Sequence, residues 1–378
     1  MNLFDSIEKK QGPRIIICCG SGGVGKTTIS ASIGLHAALC GLKTMVLTID
    51  PAKRLADSLG ITSFDFEMQQ VPIDKLTVNS PKNGGELYAM MLDSKRTFDK
   101  LIMRYATSDV QELIYKNRYY QHISKNFAGS HEYMAMEKLY ELYKENQYDL
   151  IVLDTPPTRQ ALDFLKAPQR LIDLLGHNLF WKLFRPYFQA GKIGFRMLSA
   201  VASPILRVTG QVMGTQVLDD VSDFFRLWND MLFEGFRERA MAVKELLSGP
   251  QSTFMIITSP MRVPMIEAIV FYKKLIEHRI PFGGFVVNRV HPLYIQDIDD
   301  IFQLSEFEDW DDTLKNRLFE TYQNFQKLGQ SDLKAIDDLK NIIGKYTEVR
   351  EIPFFETDVY NFDGLLKIRN NIFQIPTE

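Results

Sequence analysis

Residues 14–28 read RIIICCGSGGVGKTT. The stretch opens with an unbroken apolar run, Ile15 to Cys19, and turns through glycines into Lys26 and Thr27. Apolarity that is continuous rather than alternating means burial on both faces, as in a strand of a parallel sheet covered by helices. Four residues separate Gly20 from Gly25, and Lys26 and Thr27 follow at once, which is the G-x-x-x-x-G-K-[ST] spacing between a strand and a helix. Glycines let the backbone N–H groups of such a loop converge on one anion, and they let a phosphate approach with no Cβ in the way. The helix beginning near Lys26 adds the positive end of its dipole. Lys26 supplies charge to the β- and γ-phosphates, and the Thr27 hydroxyl is placed to ligate Mg²⁺. A nucleotide triphosphate is therefore expected on Gly20, Ser21, Gly22, Gly23, Val24, Gly25, Lys26, Thr27 and Thr28.

Outward from this loop, similar buried-strand runs recur at Thr44 to Ile49, Leu150 to Leu153, Phe254 to Thr258 and Phe285 to Val290. Helical patterns lie between them. Thr28 to Leu39 places Ile29, Ile33 and Ala37 on one stripe and ends at Gly41. Met134 to Asn146 is rich in helix formers, and Met265 to His278 is expected to turn Ile266, Ile269, Val270 and Leu275 inward. Strands alternating with helices predict an α/β fold with a doubly wound, mostly parallel sheet. Two long intervals, about 86–148 and 160–250, are helical in propensity with no obvious strand, and they read as a helical subdomain within a single domain spanning 1–378.

The chain has 378 residues, 45% hydrophobic and 24% charged, with a formal charge of −3, which provides material for a large core and excludes disordered and disulfide-scaffold classes. That charge gives no field for gripping nucleic acid, so no nucleic-acid partner is expected. Cys18, Cys19 and Cys40 form no zinc-site spacing, and a reducing cytoplasm suits them. The first residues lack a secretory apolar core, and no run reaches the roughly 18 apolar residues of a spanning helix. A cytoplasmic protein, soluble or peripheral to a membrane, is expected. Gln296 to Asp312 holds eight acids and no Lys or Arg, which reads as solvated surface.

Two carboxylates belong with the loop. Asp154 ends the strand YDLIVLD and Asp50 ends TMVLTID, both at the carboxyl edge where a parallel sheet binds ligands. Such an acid can hold Mg²⁺, often through water, or simply cap a helix.

GSGGVGKTT (20–28), TIDPAKRLADSLG (48–60), YDLIVLDTPPTRQALDFL (148–165) and FVVNRV (285–290), in that order, resemble the arsenical-pump ATPase family. That family includes the tail-anchored-protein targeting ATPases and is grouped with the MinD, ParA and nitrogenase iron proteins. The resemblance covers most of the chain and is weakest over 166–250. It implies a Mg²⁺-dependent ATPase that binds ATP and ADP and works as a dimer. Asp50 matches the acid that orients the attacking water, with Lys26 the second catalytic group. Asp154 matches the Mg²⁺-linked acid that opens a second switch running from Thr155 to Gln160. Asn288 matches the asparagine that reads adenine, and the backbone near Pro353 completes that pocket.

The departures carry information as well. Where the family usually has a lysine that crosses the dimer, this chain has Ser21, so catalysis is either slower or takes a replacement charge from Arg159 or a basic residue of a partner subunit. A homodimer and a heterodimer with a lysine-bearing paralogue both remain open. Counterparts of the arsenite-site cysteines and of the dimer-bridging C-x-x-C are missing, so neither metalloid activation nor structural zinc is expected. From Leu174 to Leu218 there is no acid, while Lys182, Arg185, Lys192, Arg196 and Arg207 sit among apolar residues. That composition suits a hydrophobic client, a membrane protein or a membrane surface, or else the subdomain's own core. The functions left in play are an ATP-driven switch coupled to a client, the energising subunit of an anion or metalloid exporter, and a MinD/ParA-like positioning ATPase; a ligase-type relative would need a polar pocket near Asp50 and Lys26.

Overall fold

A computed structural model of the chain describes residues 3–9, 11–49, 54–61, 66–73, 84–118, 130–157, 233–293, 310–359 and 361–376, with positions 120, 121, 124, 167, 169, 220, 223, 224, 227 and 228 between them. Asp50, Arg159, most of the acidic stretch from 296 and all of 174–218 lie outside the described residues.

The described strands are β1 (Ile15–Gly20), β2 (Lys43–Thr48), β3 (Gln69–Val71), β4 (Glu86–Met91), β5 (Leu150–Asp154), β6 (Ser252–Thr258), β7 (Phe282–Val290) and β8 (Val349–Pro353). The described helices are α1 (Leu3–Glu8), α2 (Lys26–Leu39), α3 (Arg54–Ser58), α4 (Ser94–Tyr105), α5 (Ser108–Lys116), α6 (Ser130–Glu145), α7 (Phe233–Ser248), α8 (Arg262–Glu277), α9 (Asp312–Ile343) and α10 (Phe362–Phe373). The chain separates into two compact units, one of residues 1–91, 146–161 and 248–378, the other of 92–145 and 162–247.

All eight strands form one sheet in the first unit, in the order β3-β4-β2-β5-β1-β6-β7-β8. Every pairing is parallel except β3 with β4, so the sheet is the expected mostly parallel one with an antiparallel edge. β1 lies centrally between β5 and β6, and all residues of these three strands are buried, as their unbroken apolarity requires. β5 separates β1 from β2, so the chain skips a place after its first strand. This is where a doubly wound sheet opens a crevice at its carboxyl edge.

α2 is buried nearly all round rather than on one stripe. One side meets the sheet, and Leu365, Ile368 and Ile372 of α10 join the same core on the other. Polar contacts fix α10 in place. Ser32 Oγ donates to Leu365 O (3.1 Å), Arg369 Nε donates to His36 Nδ1 (3.1 Å), and the His36 ring stacks on Phe373 at 3.5 Å between centroids. The turn after α2 is closed by Gly41 at φ 87°, a left-handed conformation suited to glycine. Among the described residues, side-chain caps start three helices, Asp93 accepting from Arg96 N, Asp311 from Leu314 N and Asn361 from Gly364 N.

Two expectations need correction. The interval from 86 is not free of strand, because β4 runs through Glu86–Met91 beside β2. Leu87, Ala89 and Met91 are buried while Glu86, Tyr88 and Met90 are half-buried, an alternation hidden because five of the six side chains are apolar. In α8, Ile266 and Val270 face solvent at 51% and 45% exposure, and Met265, Ala268, Phe271 and Leu275 face inward instead. The helix carries more apolar side chains than one buried stripe can take.

The second unit is helical in its described residues, with α4, α5, α6 and α7 around the stacked rings of Phe98, Tyr120, Phe224 and Trp228, the last met edge-on by Phe236. Inside it Glu137 of α6 accepts from Arg239 Nε of α7 at 2.7 Å, and that guanidinium also lies 4.1 Å over the Tyr140 ring. Burial pushes the Glu137 carboxyl above its ordinary range, against the pull of Arg239.

Candidate nucleotide site

β1 ends at Gly20 and α2 starts at Lys26, so the glycine-rich loop sits at the carboxyl edge of the central strand. A Cβ at Gly20 would lie 2.0 Å from Ile257 O of the neighbouring strand, which leaves room there for hydrogen alone. Gly25 caps α2 with φ 91°, and a Cβ on it would lie 2.5 Å from Asn288 Nδ2. That amide donates to Val24 O at 2.9 Å, so β7 is fastened to the loop by the residue expected at the base pocket. The Asn288 carbonyl accepts from Arg289 N at 3.0 Å.

Lys26 is buried, and its Nζ donates to Ser21 O at 2.9 Å, drawing the ammonium group across the loop. Ser21 in turn donates its hydroxyl proton to Glu267 Oε2 on α8, at 2.5 Å. The hydroxyl found in place of the family lysine is thus engaged within its own chain.

Asp154 ends β5 and is buried. Its Oδ2 accepts from Thr27 Oγ1 at 2.7 Å and from Thr48 Oγ1 at 2.9 Å. Beside it Thr155 donates its hydroxyl to Cys18 O at 2.8 Å, fixing the start of the following loop, and Pro157 lies 3.8 Å from where a Gly22 Cβ would stand. The structure therefore brings Ser21, Lys26, Thr27, Asp154, Thr155 and Asn288 to one edge of the sheet. Pro353 belongs to β8 next to β7, where it pairs with Val290. Beyond it Phe354 N donates to Val290 O (2.8 Å), and the Phe354 ring stacks on His291, which is held by Asp332 through both Nδ1 (2.7 Å) and its backbone N–H (2.9 Å).

Burial pushes the thiol of Cys19 up to about 12 and that of Cys18 upward as well, so both stay protonated in the loop strand. Among the described residues, Glu267 and Thr48 are the site-edge residues that sequence reasoning missed. Their partners are 246 and 106 residues away, and only the sheet register and the seat of α8 bring them in. A hydroxyl closing the apolar run Met45–Leu47 was the available signal for Thr48.

Comparison with known proteins agrees with this geometry. The sequence model of the family described as anion-transporting ATPase matches residues 13–344. The chain is 24% identical to the "Putative arsenical pump-driving ATPase 1" of Aquifex aeolicus over 95% of its own length and 78% of that protein. It is 25% identical to the ATPase ASNA1 homolog of Plasmodium yoelii yoelii, covering 94% of this chain and 85% of the other. Over 46% of this chain and 48% of the relative it is 30% identical to the ATPase GET3 of Malassezia globosa. A match across this much of the sequence, on a sheet with the phosphate-loop spacing at its central strand, makes the chain an ATPase and a member of the anion-transporting ATPase family.

Proposed function

We propose that this ATPase binds ATP with Mg²⁺ at the loop Gly20–Thr28 and uses hydrolysis as a conformational switch for a partner outside the nucleotide site. The observation that carries the reading is the bond between the buried Asp154 carboxylate and the half-buried Thr27 hydroxyl, 2.7 Å apart beside Lys26. Two hard oxygen donors at this spacing suit Mg²⁺, which favours carboxylate, hydroxyl and water ligands. Thr27 would bind the metal directly, with Asp154 behind a metal-bound water. The ion, when bound, neutralises charge on the phosphates. Lys26 gives up its bond to Ser21 O for the β- and γ-phosphates, and the loop N–H groups hold the phosphate oxygens. Asp50 orients the attacking water, and Asn288 with the backbone at Pro353 receives the adenine.

In this reading the two compact units make one ATPase domain, with the helical unit of 92–145 and 162–247 responding to the switch that begins at Thr155. Its partner is a hydrophobic client or membrane protein met through 174–218, and the working form is a dimer, of two identical chains or with a paralogue. The protein works in the cytoplasm or at a membrane surface; among the described residues no helix is long and apolar enough to cross a membrane. Energising a metalloid exporter is less well supported, because Cys18 and Cys19 are buried and protonated.

The test is ATP turnover and solution mass of the purified chain with ATP, with and without Mg²⁺, repeated for Asp50→Asn. Nucleotide-dependent dimer formation, with turnover lost in the variant, is the expected result. A monomer that turns over only with a small metabolite would overturn the switch.

A further inference from the structure

We propose that Thr48 is a positioning residue for the metal-linked carboxylate, an inference that rests on the Mg²⁺-nucleotide reading above. β2 and β5 are parallel neighbours in the register Thr48↔Asp154, and β5 and β1 in the register Cys18↔Asp154. Residues level with one another on adjacent strands emerge on the same face. Cys18 belongs to the core shared with α2, so the row Thr48, Asp154 and Cys18 points towards α2, whose first turn carries Thr27.

The Asp154 carboxylate is held from both sides on that face. Thr27 donates to Oδ2 from α2 at 2.7 Å, and Thr48 donates to the same oxygen from β2 at 2.9 Å. Hydroxyl-to-carboxylate bonds are charge-assisted, and both threonines give their single proton to them. Thr27 keeps oxygen lone pairs for a cation after this donation. Asp154 is 1% exposed and Thr48 fully buried, so water does not compete for the bond. Two donors from different elements fix the plane of the carboxylate, where one would leave it free to turn about its side-chain bond.

Thr48 also closes the end of its strand on β5, because the next residue, Ile49, donates its N–H to Asp154 O at 3.2 Å. Asp50 follows directly in the sequence. The strand end leading to the water-orienting acid is therefore bonded twice to the metal-linked acid. We assign to Thr48 the task of holding Asp154 ready for Mg²⁺ without touching nucleotide.

Calorimetric binding of ATP to the full-length chain, in EDTA and across a Mg²⁺ titration, tests this. Thr48→Val keeps the shape and removes the hydroxyl. It should raise the Mg²⁺ concentration giving half of the metal-dependent tightening about tenfold, the effect of losing one charge-assisted bond, and leave metal-free ATP affinity within about twofold of wild type. Thr48→Ser restores the hydroxyl and should return the Mg²⁺ requirement to within about twofold. A Thr48→Val protein with the wild-type requirement overturns the assignment, and so does a loss of metal-free affinity as large as the loss with Mg²⁺. Wild-type ATP binding that ignores Mg²⁺ sinks the metal reading itself, and Thr48 falls with it.

Discussion

Acidification should loosen the phosphate-loop helix at one histidine. His36 lies on α2 with 1% exposure, stacked on Phe373, and its Nδ1 accepts from Arg369 Nε at 3.1 Å. The ring proton is therefore on Nε2, which faces Cys40 Sγ at 3.6 Å. Burial first, and the neighbouring Arg369 second, lower its pKa from 6.5 to about 3. The unfolded chain accepts a proton that the native ring refuses, so stability from the neutral imidazole is whole above the unfolded value and is lost as pH falls towards the folded one. Each unit is worth about 1.4 kcal/mol, so the loss reaches about 2 kcal/mol by about pH 5, with a ceiling of about 5 kcal/mol near pH 3. Carboxylates titrate over part of the same range, and a variant isolates the ring. His36→Gln keeps an acceptor for Arg369 and cannot be protonated. Urea unfolding at about pH 7.5 and about pH 5, followed by circular dichroism, should show wild type losing about 2 kcal/mol more than the variant between the two conditions. Losses that agree within about 0.5 kcal/mol would refute the reasoning.

Gly25→Ala combines a left-handed backbone with a methyl 2.5 Å from Asn288 Nδ2, and should weaken ATP binding at least about tenfold by calorimetry. Glu267→Ala removes the acceptor of Ser21 and should cost about threefold to tenfold in ATP affinity, while Glu267→Gln, which still accepts, should stay within about twofold. In the helical unit Glu137→Ala leaves the half-buried Arg239 without its carboxylate and should cost about 2 kcal/mol in urea unfolding. Glu137→Gln should cost about 1 kcal/mol, because burial already disfavours the charged carboxylate.

β1, its loop and α2 were legible because a fully apolar run, a glycine spacing and a helical pattern all pointed the same way. Asp154 was legible for a similar reason, a lone carboxylate closing a fully buried strand. β4 escaped notice because Tyr88 and Met90 are as apolar as the buried residues between them, so neither period stood out. β8 was missed because Ile352 is its only buried residue at the edge of the sheet. The inward face of α8 was misread at Ile266 and Val270, where hydrophobicity alone could not choose among too many apolar positions. Thr48, Glu267 and the Arg369–His36 contact depend on register and packing between distant segments, which leave no mark on local composition.

The seating of α10 against α2 bears on synthesis. The ribosome releases the phosphate loop early, yet the helix behind it lacks its outer cover until Leu365, Ile368, Ile372 and Phe373 have been made. A growing chain that already displays the complete G-x-x-x-x-G-K-T signature therefore still holds α2 with one flank bare. Nucleotide competence should wait until residue 373 has cleared the exit tunnel, and chaperones that shield apolar surface should attend the chain until then.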